Sequence, residues 1–108
     1  MTPLFRWSGT YWGFIDHGQV YDRHGRHLGW FEGRDLYDRT GRFVGELRDD
    51  HYVLRNLFRA EPLPLAARPP VDRETPPAVP PDRDERDPLP DWRDALPWPL
   101  PPPKPPTV

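Results

Sequence analysis

The chain has 108 residues, a net charge of −2 and no cysteine. The absence of cysteine excludes disulfides and thiolate metal sites, and no apolar run approaches the roughly 20 residues of a membrane-spanning helix. The charge balance disfavours nucleic-acid binding, which requires a basic surface. The N-terminus lacks the charged start and apolar stretch of a signal peptide, so we expect a cytoplasmic protein.

Composition divides the chain into two parts. All eight glycines lie at or before Gly45, whereas 17 of the 18 prolines lie from Pro62 onward. Twelve of the fourteen aromatic residues fall within the first part. We predict a folded domain at 2–59, a proline- and charge-rich linker at 60–90 and a tail at 91–108. The later segments contain too little apolar surface to offset the entropy of ordering them.

A 16-residue repeat organises the first part. Shifting the sequence by 16 residues aligns one glycine column, formed by Gly9, Gly25 and Gly41, and a second, formed by Gly13, Gly29 and Gly45. Apolar columns accompany them, namely Leu4, Val20, Leu36 and Tyr52, and then Phe5, Tyr21, Tyr37 and Val53. Such regularity indicates that small supersecondary units bury their apolar faces against one another.

Each unit has the features of a β-hairpin. Asp22 and Asp38 begin tight turns, where a carboxylate can accept backbone N–H bonds. Gly25 and Gly41 follow at positions that require a positive φ, as in a type I turn closed by a glycine bulge. The flanking runs are short, aromatic or aliphatic and free of proline, which favours strands. The second glycine column falls inside a strand and indicates close backbone approach.

We predict an all-β fold of about four hairpins in a pseudo-four-fold arrangement, followed by an extended proline-rich tail. Three complete units (2–17, 18–33 and 34–49) precede an incomplete fourth. The repeated Val-Tyr-Asp-x-x-Gly-Arg-x-x-Gly pattern resembles the 4-fold β-flower family of short bacterial proteins of uncharacterised function. The resemblance covers residues 4–56 and implies hairpins arranged as petals, but no activity. The stretch from Trp12 to Asp16 also resembles the core of WG repeats.

The sequence contains no motif for catalysis, and we predict no catalytic residue, no cofactor and no metal site. The repeat does not bring together the four histidines, which are His17, His24, His27 and His51. Asp22 and Asp38 recur as paired catalytic carboxylates would, but their register with the turn glycines explains them as turn residues. A ligand-binding or enzymatic flower with an aromatic and histidine-bearing pocket is the alternative.

Arginines form a periodic feature of the turns, at Arg23, Arg26, Arg39 and Arg42, in units that also carry Trp7, Trp12 and Trp30. Arginine beside aromatic rings can bind single-stranded nucleic acid by stacking and backbone attraction. Aspartate and glutamate match these arginines nearly one for one. We therefore expect ion pairs on a solvated surface, with nucleic-acid binding as a further alternative.

The tail is the stronger candidate for function, as a protein-binding or assembly element whose partner the sequence does not identify. The apolar anchors Trp92, Leu96 and Trp98 stand in a polar segment, and residues 91–96 could form a single helical turn. Pro99, Pro102 and Lys104 follow in a P-x-x-P-x-K pattern within a polyproline II segment. Such a segment suits an aromatic-lined groove, because a preformed helix loses little entropy on binding.

Overall fold

The structure, a computed structural model, describes residues 1–97. This part of the chain contains strands and no helix, which confirms the all-β class expected from the sequence. Consequently no helix long and apolar enough to span a membrane occurs within it. The strands are β1 (Thr2–Phe5), β2 (Tyr11–Asp16), β3 (Gln19–Asp22), β4 (His27–Glu32), β5 (Asp35–Asp38), β6 (Phe43–Arg48), β7 (Tyr52–Asn56) and β8 (Trp92–Asp94).

The first six strands form three antiparallel hairpins, β1–β2, β3–β4 and β5–β6, which we number 1 to 3. The tip of each hairpin is the loop between its two strands, at residues 6–10, 23–26 and 39–42. In the second tip, Asp22 Oδ1 accepts hydrogen bonds from the N–H groups of His24 (2.8 Å) and Arg26 (2.9 Å). This carboxylate therefore orders its turn in the way that the sequence predicts.

Strand β7 closes the sheet on itself. It pairs with β6 on one edge, and on the other edge Tyr52 lies opposite Phe5 of β1 in a parallel bridge. The Phe5 N–H donates to the carbonyl of His51 at 2.8 Å. Seven strands thus form a closed sheet, which satisfies backbone groups that an open edge would leave unpaired.

Strand β8 returns from the tail to pair with β7, with Leu54 opposite Asp94 and Asn56 opposite Trp92. The expectation of a helical turn at residues 91–96 is therefore wrong. The physical reason is that the β1 bridge covers only the start of β7, so the rest of that edge needs another strand to satisfy its N–H and C=O groups. The predicted boundary at residue 59 separates β7 from this hydrogen-bonded neighbour.

The core has one fully buried aliphatic side chain from each of the strands β1, β3, β5 and β7. These side chains are Leu4, Val20, Leu36 and Val53. Trp12 and Leu96 complete it. The 16-residue register aligned Tyr52, not Val53, with Leu4, and is wrong by one residue in β7. The turn before β7 holds three residues, from Asp49 to His51, whereas the two earlier turns between hairpins hold two.

The strand glycines allow neighbouring hairpins to approach closely. A Cβ atom on Gly13 would lie 2.0 Å from the carbonyl oxygen of Tyr21, and one on Gly29 would lie 1.8 Å from that of Tyr37. Real Cβ atoms do not tolerate such distances, so any side chain here would force the strands of adjacent hairpins apart. The close approach expected from the second glycine column is what the backbone requires.

Candidate functional site

From residue 60 onward the described chain, which we call the tail from here on, crosses the three hairpin tips in reverse order. It forms the same backbone hydrogen bond at each tip. The Leu65 N–H donates to Gly41 O in the third tip (2.8 Å). The Arg73 N–H donates to Gly25 O (2.7 Å), and the Arg83 N–H donates to Gly9 O (2.8 Å). The three glycine carbonyl groups that accept these bonds are spaced by the 16-residue repeat, so the hairpins offer three equivalent docking positions. We call them tip sites 1, 2 and 3, after their hairpins.

The turn glycines leave room for the tail as well as making the turns. Positive φ is expected at these positions from the sequence, and it measures 97° at Gly9, 84° at Gly25 and 89° at Gly41. In addition, a Cβ atom on Gly9 would lie 1.9 Å from Arg83 O, and one on Gly25 would lie 2.1 Å from Arg73 O. A larger residue would be strained in the turn and would also push the tail away.

Two tail aspartates bind backbone amides in tip sites 1 and 2. Asp82 Oδ1 accepts from the Tyr11 N–H at 2.9 Å, and Asp72 Oδ1 accepts from the His27 N–H at 2.8 Å. Both amides lie where the strand register shifts within the hairpin. A carboxylate is a strong acceptor for an amide that would otherwise lack a partner.

The residue after each aspartate is an arginine that covers an aromatic ring. The Arg83 guanidinium carbon lies 4.3 Å from the centre of the Phe5 ring, and that of Arg73 lies 5.8 Å from the centre of the Tyr21 ring. Phe5 and Tyr21 occupy the same column of the repeat. The Asp-Arg dipeptide therefore forms three contacts at each of these tips: a main-chain bond, a carboxylate–amide bond and a cation–π contact.

Further arginines of the tail fasten the segments between the tips. Arg68 lies over the Trp30 ring at 4.0 Å, and Arg86 lies over the Trp7 ring at 4.4 Å. Arg73 also forms an ion pair with Asp16, and the hydrogen bond from its guanidinium holds the pKa of that carboxyl below its ordinary value. Arg68, Arg73 and Arg86 are therefore engaged within the protein. Free arginines would be needed to attract the phosphate backbone of a nucleic acid.

His27 links the second tip to the tail through both its backbone and its ring. Its Nδ1 accepts a hydrogen bond from the Val71 N–H at 3.1 Å. Its Nε2 lies 2.8 Å from Gln19 Oε1 and 2.9 Å from Gly29 O. Because both of these oxygens are acceptors, Nε2 carries the ring proton. This arrangement requires a neutral imidazole, and burial correspondingly lowers the pKa of His27.

Comparison with known proteins agrees with this architecture. Residues 2–106 match the family described as 4-fold beta flower protein. The chain belongs to this family. The match extends beyond the hairpins into the tail, which accords with the contribution of β8 to the sheet. Comparison of the chain with curated proteins and with solved structures found no match.

Tip site 3 of the flower keeps the main-chain bond but differs in its tail residues. Pro64 and Leu65 occupy the register that Asp72 and Arg73 occupy at tip site 2, so these two positions supply neither a carboxylate nor a guanidinium. The tail instead supplies Glu61, which pairs with Arg42 of this tip at 3.1 Å. Leu65 is 40% exposed. The tail is thus held at this tip by other side chains than at the other two.

A cleft of about 380 Å³ lies between the first tip, the turn after β6 and the tail. Its lining residues are Trp7, Arg48, Asp49, Glu85, Arg86, Asp87 and Leu89. Several polar groups here bind one another: Arg86 pairs with Asp49 at 2.7 Å, and the Trp7 indole N–H donates to Asp87 O at 2.7 Å. Among the described residues, no three histidine or acidic side chains converge as a metal site would require.

The structure places two of the predicted partner-binding residues within the flower. Trp92 lies in β8, with its ring 4.7 Å from the Arg48 guanidinium carbon. Leu96 is 2% exposed and belongs to the core, which leaves it almost no surface for a partner. The other predicted contacts, Trp98, Pro99, Pro102 and Lys104, lie outside the described residues.

Sequence reasoning missed the Asp-Arg contacts of the tail. Asp72-Arg73 and Asp82-Arg83 lie in the segment that was interpreted as a solvated linker. The signal that could have found them is the repetition of the dipeptide among prolines. Charged pairs are so common in solvated linkers, however, that only the register against the glycine turns makes this repetition informative.

Proposed function

We propose that this protein is a non-catalytic protein-interaction module in which the flower anchors the tail and presents residues 98–106 to a protein partner. The observation that carries the proposal is the anchor at the end of the described chain. There the Trp12 indole N–H donates to the carbonyl of Pro97 at 2.8 Å, and Leu96 is buried in the core. A firm attachment thus immediately precedes the polyproline segment.

The chemistry of that segment defines the partner. Trp98, Pro99, Pro102 and Lys104 supply an aromatic anchor, two prolines in P-x-x-P spacing and a positive charge. A groove lined by aromatic side chains, with a carboxylate placed for the lysine, would recognise these features. In this proposal, Trp92 and Leu96 contribute by fixing the tail and not by touching the partner.

The proposal includes a pseudo-four-fold flower in which β7 and β8 form the fourth unit. Ala95 then occupies the place of the strand glycines, and its amide donates to Val53 O at 3.0 Å. The tip of this unit is replaced by the long excursion from residue 57 to residue 91. We further propose a cytoplasmic setting, as expected from the sequence.

Two observations favour an interaction module over a catalyst or a ligand-binding enzyme. In the cleft, Arg86 pairs with Asp49 and the Trp7 indole N–H donates to the backbone carbonyl of Asp87, so these groups already have partners within the chain. The lowered pKa values of Asp16 and Glu61 come from hydrogen bonds with arginines, as in structural ion pairs. The stacking of tail arginines on aromatic rings of the same chain likewise argues against nucleic-acid binding, because those rings and guanidinium groups already contact each other.

The experiment compares protein associations of three full-length chains in cells that produce the protein naturally, by chemical crosslinking and mass spectrometry. One chain is unchanged, one carries Pro99→Ala, Pro102→Ala and Lys104→Ala, and the matched control carries Pro69→Ala and Pro70→Ala. We expect a partner to be lost with the triple variant and kept with the control. Retention of every association by the triple variant would refute the proposal.

A further inference from the structure

We propose that tip site 3 is a binding site for an extended Asp-Arg segment of another polypeptide chain. This inference goes beyond the proposed function and does not depend on residues 98–106. It concerns the Gly41 turn and the first residue of β6, which the internal tail covers without its Asp-Arg dipeptide. The two other tips define the chemistry of the ligand.

Tip site 3 has the flower-side groups that bind Asp-Arg elsewhere. Gly41 has the same positive φ, and its carbonyl faces the tail as those of Gly9 and Gly25 do. The strand register shifts between Leu36 and Tyr37, which brings Phe43 to the place that His27 and Tyr11 occupy in the other hairpins. Tyr37 occupies the ring position that Phe5 and Tyr21 occupy elsewhere.

The internal segment leaves part of this capacity unused. Pro64 has no side-chain acceptor for the Phe43 amide, and Leu65 has no cation to place over a ring. At Gly41 the segment is held by main-chain bonds, from the Leu65 N–H to Gly41 O and from the Arg68 N–H to Arg39 O, each at 2.8 Å. The ion pair of Glu61 with Arg42 and the contact of Arg68 with the Trp30 ring hold it on either side. Leu65 remains 40% exposed, so its side chain contributes only partial burial.

The arginines beside tip site 3 are already paired, so the carboxylate of the ligand is expected to bind the Phe43 amide and not a cation. Arg55 and Arg59 lie over the Phe43 ring at 5.3 Å and 5.0 Å, and Arg59 pairs with Asp35 and Glu46 while Arg55 pairs with Glu61. Glu32 corresponds in the repeat to Asp16, the carboxylate that pairs with Arg73 beside tip site 2. Glu32 is half exposed and could pair with the incoming arginine as it now pairs with Arg68.

An external Asp-Arg segment would therefore replace Pro64 and Leu65 and add two contacts that they lack. It must compete with a tethered segment, whose effective concentration is of millimolar order. Binding is accordingly expected to be weak but selective. It should also weaken with salt, because both added contacts involve charge.

The test uses the full chain and a fluorescein-labelled peptide with the sequence of residues 79–87, which contains Asp82-Arg83. Fluorescence anisotropy measures binding, and NMR follows the amides of Gly41 and Phe43 beside those of Gly9 and Gly25. We expect saturable binding with shifts confined to Gly41 and Phe43. Peptides with Asp82→Ala or Arg83→Ala should bind about tenfold more weakly, as for loss of one charge-assisted hydrogen bond or of one cation–π contact.

The matched protein variant carries Pro64→Asp and Leu65→Arg, which completes the internal Asp-Arg pattern. It should bind the peptide at least tenfold more weakly than the unchanged chain, and its melting temperature should be higher. Concentration-dependent self-association that this variant abolishes would also support the site, and would identify the other polypeptide as a second copy. Equal binding by the variant, shifts at Gly9 or Gly25 instead, or no binding at about 1 mM peptide would overturn the proposal.

Discussion

The Asp82 carboxylate accepts a hydrogen bond from the Tyr11 amide, which lies 71 residues earlier in the chain, at 2.9 Å. Asp72 and His27 repeat this relationship in the next hairpin at 2.8 Å. A segment rich in proline and charge is thus tied to the hairpins by the chemistry that ordinarily caps turns and helix ends. Because the contact recurs with the repeat, its contribution can be measured one tip at a time.

Replacing Asp82 by alanine removes the acceptor of the Tyr11 amide while keeping the main-chain bond to Gly9. We expect the first tip to open more readily, by about 1–3 kcal/mol in local free energy, as for loss of a hydrogen bond to a charged group. Hydrogen exchange at the Tyr11 and Arg83 amides measures this opening. Asp84→Ala, two residues away at an exposed position, is the control. Equal exchange rates in the two variants would contradict the assigned role of Asp82.

A pair of glycine substitutions separates turn strain from displacement of the tail. Gly25 and Gly18 have similar φ values of 84° and 77°. A Cβ on Gly25 would lie 2.1 Å from Arg73 O, whereas a Cβ on Gly18 would meet nothing within 4 Å. Gly18→Ala should therefore cost about 1–2 kcal/mol from backbone strain alone, and Gly25→Ala should cost more.

Urea denaturation of both glycine variants gives these free energies of unfolding. In the Gly25→Ala variant, exchange of the Arg73 amide should also accelerate, which a purely local strain would not produce. Indistinguishable stabilities, with the Arg73 amide still protected, would show that the tail contributes nothing at this tip.

Acid should loosen the second tip through His27. Its pKa is lowered by burial, with the nearby Arg39 charge in the same direction, while a bond to Gly29 and the Asp72 charge oppose the shift. A lowered histidine pKa means that the neutral form is favoured on folding. The associated stability is complete above about pH 6.5, the unfolded value, and is lost as pH falls through the folded pKa.

An NMR titration between about pH 7.5 and 4.5 tests this expectation. Protonation at Nδ1 turns the acceptor of the Val71 N–H into a donor, so the protection of the Val71 amide, relative to its intrinsic exchange rate at each pH, should fall as the His27 signal titrates. Asp16 also has a lowered pKa, but its stabilisation is lost only below about pH 4, so the two effects are separable. A Val71 exchange profile that is unchanged by His27→Gln would exclude the histidine as the cause.

Truncation of Leu96 tests whether the tail belongs to the core. Leu96 is 2% exposed beside Leu4, Val20 and Leu36, so Leu96→Ala should lower the free energy of unfolding by about 2–5 kcal/mol. Leu63→Ala is the control, because this leucine is 86% exposed and its loss should cost less than about 0.5 kcal/mol. Urea denaturation gives both values. Similar losses would show that β8 and the residues after it are not part of the cooperative unit.

The parts of the fold that sequence reasoning predicted are those that local chemistry determines. An aspartate followed by glycine at fixed spacing specifies a turn wherever it occurs, and Asp22 and Gly25 behave accordingly. A glycine inside a strand, such as Gly13, is costly unless another backbone lies against it. These rules, together with the 16-residue register, were enough to predict strands, hairpins and the family.

The remaining features depend on contacts between distant residues. The extra residue in the turn before β7 shifts its core position from Tyr52 to Val53, and no local rule requires that insertion. The assignment of Trp92 to a strand depends on an unpaired edge of β7, which becomes apparent only when the sheet closes. The docking of Asp72 likewise depends on an amide that only the folded hairpin exposes.

The reverse order in which the tail visits the tips has a consequence for how the chain assembles. Each hairpin closes a short loop, so the three can form early. Leu65 reaches Gly41 across the shortest separation, and Arg73 and Arg83 then reach Gly25 and Gly9 across progressively longer ones. Once Leu65 is bound, each later contact closes only the few residues since the previous one, at small entropic cost. We therefore expect the tail to dock first on the third hairpin, then on the second and last on the N-terminal hairpin.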